Sequence, residues 1–218
     1  MLLEVAHVEK SFATEEGRLE VLRGVDLQLE SGERVALTGE SGCGKSTLLY
    51  LIGALESFDA GEIVVDGSKL SALNDRQRAH IRRKTIGIVF QQFNLIPSMN
   101  VGHNLRFHAR LAEREDEAWT AHLTHRLGLE RFLTTYPEQL SGGQQQRVAI
   151  GRTLAARPRL ILADEPTGNL DEKTSDEVVT LMLELVEETD AGLLMVTHSS
   201  RLAARMDRQL HLTAGLIS

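Results

Sequence analysis

Residues Gly39-Glu40-Ser41-Gly42-Cys43-Gly44-Lys45-Ser46 constrain the fold of this 218-residue chain more than any other stretch, because of what flanks them. Val35-Ala36-Leu37-Thr38 before them is an apolar run of strand length. After them, Leu48, Leu49, Leu51, Ile52 and Leu55 form a wide apolar stripe at helical spacing. A strand, a glycine turn and a helix in that order build the first half of a parallel strand–helix–strand unit. The G-x-x-x-x-G-K-S spacing lets backbone N–H groups turn inward around phosphate oxygens. The helix N-terminus adds its positive end and Lys45 a full charge against β/γ-phosphates. Ser46 supplies a hydroxyl for Mg²⁺, and Thr47 follows it in the first helical turn.

A second helix N-terminus lies about a hundred residues on. Leu140-Ser141-Gly142-Gly143-Gln144 opens a helix that runs to Ala156 and is closed by Pro158. On local physics alone, this is equally a serine N-cap followed by flexible glycines. Beside a phosphate loop it reads as a second anion site, so that a nucleotide is gripped from two sides. Leu160-Ile161-Leu162-Ala163 is continuously apolar, as a strand buried on both faces should be, and ends in Asp164-Glu165. At the C-terminal edge of such a strand both carboxylates reach the phosphate crevice. Asp164 suits Mg²⁺ through water, and Glu165 suits a general base that orients the attacking water.

The rest of the chain fits one domain. Apolar stretches at 2–8, 20–29 and 34–38, with turn signals at Glu16-Gly17 and Ser31-Gly32-Glu33, predict an antiparallel hairpin leading into a buried strand. Ile63-Val64-Val65 and Ile86 to Phe90 are further strands. From Phe93 to Tyr136 the pattern turns helical, with Pro97 and Gly128 as breaks, and a helix over about 171–188 precedes a strand at 193–196. The expected organisation is a single domain over 1–218. Residues 1–92 and 157–218 make a β subdomain and α/β core, and 93–156 a helical lobe. No run approaches the length of a bilayer span, and the single cysteine excludes an intramolecular disulfide and fits a reducing setting. A net charge of −7 argues against nucleic acid as a partner. Arg76, Arg78, Arg82, Arg83 and Lys84 at helical spacing read as a solvated face or a phospholipid-side docking surface.

Taken together these motifs resemble the nucleotide-binding subunit of ATP-binding cassette (ABC) transporters over essentially the whole length. The resemblance implies a P-loop NTPase (RecA-like) α/β core with an antiparallel β subdomain and an inserted helical subdomain. It implies ATP and Mg²⁺ as cofactors. Gly39–Ser46 would be the Walker A loop, Asp164 the Walker B aspartate and Glu165 the catalytic carboxylate. Gln91 would be the Q-loop glutamine beside Ser46 and Asp164 at the metal, Ser141–Gln144 the signature, Asp171 of Asn169-Leu170-Asp171 part of the D-loop, and His198 the switch histidine. Phe12 falls where an aromatic stacks under adenine, although the residues alone allow it to be hairpin core. Because one chain carries one copy of each motif, the resemblance implies a second subunit, a homodimer, that completes each ATP site head to tail. It further implies an integral membrane subunit, with this chain peripheral on the cytoplasmic face of the inner membrane.

Val89-Phe90-Gln91-Gln92-Phe93-Asn94-Leu95-Ile96-Pro97, Gln144 to Arg152 and Asp164 to Asp171 resemble most the branch that serves lipoprotein release (LolD-like), macrolide and peptide export (MacB-like) and cell division (FtsE-like). The implied function is ATP hydrolysis whose dimer closure drives a membrane partner for export, lipoprotein release or mechanotransmission. A solute importer's ATPase and an FtsE-like regulator of cell-wall enzymes are the alternatives. Gln91 and the apolar segment Phe93 to Pro97 are the expected relay, forming a shallow groove for a partner's cytoplasmic helix. Cys43, Ser199 and His103 depart from the residues common in relatives at those places.

Overall fold

A computed structural model describes residues 1–15 and 17–217; Glu16, half of the first expected turn signal, lies outside the described residues. The chain opens with strands β1 (Leu3–Thr14) and β2 (Gly17–Leu29), the expected hairpin, and continues into β3 (Arg34–Thr38), the Gly39–Gly44 loop and helix α1 (Lys45–Ile52). Then come β4 (Ala60–Val65), β5 (Ser68–Lys69), α2 (Asp75–Lys84) and β6 (Ile86–Val89). Helices α3 (Val101–Leu111), α4 (Glu117–Arg126) and α5 (Gly142–Leu154) follow. The chain closes with β7 (Leu160–Asp164), α6 (Glu172–Glu188), β8 (Gly192–Val196), α7 (Ser200–Ala203), β9 (Arg208–Thr213) and β10 (Leu216–Ile217).

The strands form two sheets. One is antiparallel, in the order β2-β1-β4-β5. The other has the order β10-β9-β3-β8-β7-β6, parallel from β9 to β6. The parallel sheet is buried on both faces, and its strands alternate accordingly. In β7, Leu160 and Leu162 face the core shared with α1 and the antiparallel sheet, while Ile161 and Ala163 face the core shared with α5 and α6. In β8, Leu194 and Val196 face the first core, and Leu193 and Met195 the second. On α1, Leu48, Leu49, Leu51 and Ile52 are wholly buried, each contributing about 2 kcal/mol over an exposed position.

Between the adjacent strands β6 and β7 the chain leaves the sheet to form α3, α4 and α5. Asn100, Asp116 and Ser141 cap these helices by accepting from backbone N–H groups of His103, Trp119 and Gln144. Gly128, at φ +65, ends α4 where the glycine break was expected. His122 and His125, one turn apart on α4, do not converge: each meets its own carboxylate, Glu188 at 2.7 Å and Glu130 at 3.0 Å.

The parallel register decides where the site lies. Leu37 on β3 and Asp164 on β7 both pair with Val196 on β8. The glycine loop after β3, Asp164-Glu165 at the end of β7 and Thr197-His198 after β8 therefore leave the sheet side by side. With strands about 4.8 Å apart, they share one crevice outside the carboxyl ends of the strands.

Candidate nucleotide site

The loop from Gly39 to Gly44 is held open by backbone geometry that favours glycine. Gly39 has φ +144 and Gly44 φ +108. A Cβ on Gly39 would run into the Leu212 carbonyl, and one on Gly44 would come within 2.9 Å of Val21. The loop is thus wedged between β9 and β2. Glu40, Ser41 and Gly42 are exposed at its tip, and Cys43 is partly buried. Lys45, 5% exposed, curls back to donate to the carbonyls of Gly39 at 2.9 Å and Glu40 at 2.6 Å. These two carbonyls fix the ammonium within the loop. Thr47, partly buried, stands in the first turn of α1.

Ser46 and Asp164 converge across the crevice. The Ser46 hydroxyl donates to Asp164 Oδ1 at 2.9 Å, although 118 residues separate them in sequence. A hydroxyl and a carboxylate oxygen brought together at the mouth of a phosphate loop are the hard oxygen donors that suit Mg²⁺. Tyr50, one turn beyond Ser46 on α1, completes this corner. Burial and its hydrogen bond to Asp164 push its phenol up to about 12.

Glu165 and His198 form the opposite corner, where the histidine Nε2 contacts Glu165 Oε1. Glu165 sits at φ +44, a conformation that L side chains rarely adopt. Its N–H donates to the Val196 carbonyl and its own carbonyl accepts from Gly168, which hold the turn.

Gln91, just past β6, is tied to the same edge. Its carbonyl accepts from Asn169 Nδ2 at 3.1 Å, and its side-chain amide packs against Gly168, where a Cβ would stand 2.8 Å from Nε2. Asp171 accepts from the Thr174 N–H as the N-cap of α6, and hydrogen bonding from the Thr174 side chain, then from its backbone, lowers its pKa. The Ser141–Gln144 turn is a reciprocal capping box. Ser141 Oγ accepts from the Gln144 N–H, and Gln144 Oε1 accepts from the Ser141 N–H at 2.9 Å. Gly142 and Gly143 lie against Leu170 and Thr174, a Cβ on Gly143 falling 2.5 Å from the Thr174 methyl. This helix N-terminus is thus packed on its own 170–174 segment, whereas the phosphate loop is packed on β2 and β9. Phe12 is 38% exposed with the Lys10 ammonium 4.8 Å above its ring, so it is not hairpin core. It reaches the loop only through β2: it pairs with Leu19, and Val21 and Leu22 of that strand meet Gly44.

The sequence profile of the ABC transporter family matches residues 22–168. This chain is an ABC transporter ATP-binding cassette. Over 99% of the chain and 96% of the relative, it is 45% identical to the lipoprotein-releasing system ATP-binding protein LolD of a Ruegeria species. It is 43% identical to the uncharacterized ABC transporter ATP-binding protein YbbA of Escherichia coli, over 98% of the chain and 95% of that protein. A solved ATP-binding cassette, a dimer in a post-hydrolysis state bound to ADP and Pi, superposes with a TM-score of 0.90 at 38% identity, covering 99% of this chain and 96% of that one.

Three parts of the cassette escaped sequence reasoning. Tyr50 is one, although its i+4 spacing from Ser46 on α1 was a usable signal. The bond from Asn169, a residue of the D-loop segment, to the Gln91 carbonyl is another. The third is Arg152, 4% exposed on α5, which donates to the carbonyls of Asn94 at 2.7 Å and Phe93 at 3.1 Å. Burial lowers its pKa to about 10, so it stays cationic at neutral pH. Leu95, partly buried, packs against the core, and Phe93 stands beside Gly142. A separate apolar cleft lies between α2, β6 and α3, a cavity of about 360 Å³ lined by Leu55, Ile86, Ile88, Phe90 and Leu111, with Arg82, Arg83 and His108 among its polar walls.

Proposed function

We propose that the cassette binds MgATP between two copies of itself and that hydrolysis drives an integral membrane subunit at the cytoplasmic face of the inner membrane. In this reading Gly39–Thr47 wraps the phosphates, Lys45 neutralises them, and Phe12 carries the base. Ser46, Asp164 and Gln91 would hold Mg²⁺, which when bound draws charge from the β- and γ-phosphate oxygens. Glu165 takes the proton of the attacking water, and His198, in contact with that carboxylate, holds its orientation and reaches the γ-phosphate. Ser141–Gln144 of the second copy closes the site from the other side, with Asp171 beside it.

The observation that supports the pairing most is the packing of Gly142 and Gly143 on Leu170 and Thr174 of the same chain, away from the loop's supports at Val21 and Leu212. A helix N-terminus held there serves a nucleotide bound to another copy. Arg152 then links the signature helix to Phe93 and Asn94, two and three residues past Gln91, so movement at the interface carries to the apolar cleft where the membrane subunit seats. The similarity to LolD makes lipoprotein release the preferred task.

Replacement of Glu165 by Gln keeps the shape but removes the base. The turnover number of Glu165→Gln is expected to fall about 10²–10⁴-fold. ATP affinity should hold, and a dimer should accumulate with MgATP, measured by light scattering. Purified from membranes in MgATP, the same variant is expected to bring down a membrane protein with a large periplasmic domain. A many-span permease with a solute-binding protein would replace lipoprotein release by import. A Glu165→Gln variant that hydrolyses ATP at the normal rate would remove the role given to Glu165.

A further inference from the structure

Charge is distributed very unevenly along the cassette. Residues 75–112 hold seven arginines and lysines against one acid, Asp75, in a chain whose net charge is −7. Four of these seven cations are engaged within the fold, and Arg106 is partly buried on α3. Arg78 donates to the Leu73 carbonyl, Arg82 to that of Ala54 and Lys84 to that of Ala112, while Arg110 pairs with Glu115. Arg76 and Arg83 differ: both are exposed, and among the described residues neither forms an ion pair. With His80, also exposed and 3.5 Å from Arg83, they stand at i, i+4 and i+7 on α2. The result is a straight ridge about 10 Å long with a guanidinium at each end.

We propose that this ridge of α2 rests on the anionic phospholipid headgroups of the membrane. With no acid paired to it among the described residues, the ridge is open to an outside anion, and the crest has the character of a headgroup contact rather than of a protein interface. Between its two guanidinium groups the exposed crest holds Gln77, Ala79 and His80, with no large apolar side chain to anchor a partner chain. A leaflet presents phosphates across a plane and needs no matching spacing. The apolar walls that a protein segment would use lie to one side of the crest, in the cleft that Ala79, Arg82 and Arg83 also line. The facing of α2 towards the membrane rests on the proposed seating of the membrane subunit in that cleft; the affinity for headgroups does not.

The test is flotation of the full-length chain with partner-free vesicles of phosphatidylcholine, with and without phosphatidylglycerol. At about 0.1 M salt the Debye length is about 10 Å, so the negative charge elsewhere on the chain is screened while a contact at the ridge persists. The chain is expected to float with phosphatidylglycerol vesicles and to stay in solution with phosphatidylcholine alone. Arg76→Gln/Arg83→Gln should weaken partitioning about 30-fold, two cations each counting about fivefold near an anionic surface, with ATPase activity unchanged. Equal flotation of wild type and variant, or no preference for the anionic vesicles, overturns the proposal. Loss of the variant from phosphatidylcholine proteoliposomes that contain the membrane subunit, with no flotation on anionic lipid, would assign the ridge to an acidic protein segment and overturn it also. Because the flotation vesicles carry no partner, their failure leaves the membrane-subunit reading standing, and a failed pull-down leaves the flotation result intact.

Discussion

His108 shows how one side chain can make the fold sensitive to acid. It is partly buried on α3 against the apolar cleft, and burial together with the nearby Arg152 cation lowers its pKa from 6.5 to about 4. Above pH 6.5 it is neutral in both folded and unfolded chains. Between pH 6.5 and 4 the unfolded chain takes up a proton that the folded chain refuses, so stability is lost as pH falls through that window. From these values the loss between pH 7 and pH 5 is about 2 kcal/mol. Urea midpoints at the two pH values measure it, and His108→Asn should flatten the difference. Parallel curves for wild type and variant would show that another group controls the acid limb. Asp207 adds to acid sensitivity only at lower pH, because Arg34 hydrogen-bonds it and holds its carboxyl below the usual range.

At the scale of elements, the docking of α5 on β6 decides where the signature turn stands. The Thr153 hydroxyl donates to the Ile88 carbonyl at 3.1 Å, and β6 carries Gly87 where the helix comes closest. A Cβ at Gly87 would lie 2.6 Å from the Thr153 methyl and 2.8 Å from the Pro158 ring. Gly87→Val is therefore expected to push α5 off the sheet and cost about 1–3 kcal/mol, read as a lower urea midpoint, with Gly87→Ala intermediate. An unchanged midpoint for Gly87→Val would mean that the helix yields without cost. Elements such as α1, α5 and β7 were legible in the sequence because burial is written into their periodicity. Strand β9 was not: of Arg208 to Thr213 only Leu212 is buried, so an edge-side strand leaves no apolar pattern. The first strand runs six residues past its expected end at Val8. Its alternation is broken by His7 at φ +49, and register shifts against β2 recur to Ser11. From Glu9 to Thr14 the strand pairs with β2 without apolar alternation: its one buried side chain is the charged Lys10, and its apolar Phe12 and Ala13 are exposed.

For the whole molecule, the motifs were legible because each is local, while their convergence was not. Ser46 and Asp164, or Gln91 and Asn169, meet only because β3, β8, β7 and β6 are neighbours in one sheet, and no single motif states that order. On the proposed pairing, the phosphate loop of one copy meets the Ser141 turn of another, and the single cysteine makes that contact measurable. Cys43 lies in the loop, partly buried between Gly42 and Gly44. Ser141→Cys places a second thiol at the head of α5, which packs on Leu170 and Thr174 of its own chain. If ATP draws two copies together head to tail, a short bis-maleimide added to Ser141→Cys with ATP should give a covalent dimer on a denaturing gel. Two links per dimer are possible, since each interface repeats the pair. Cys43→Ser in the same background should abolish the band, as should omission of nucleotide. Cross-linking within a monomer, or a dimer band that survives Cys43→Ser, would mean that the two anion sites do not meet across a head-to-tail interface.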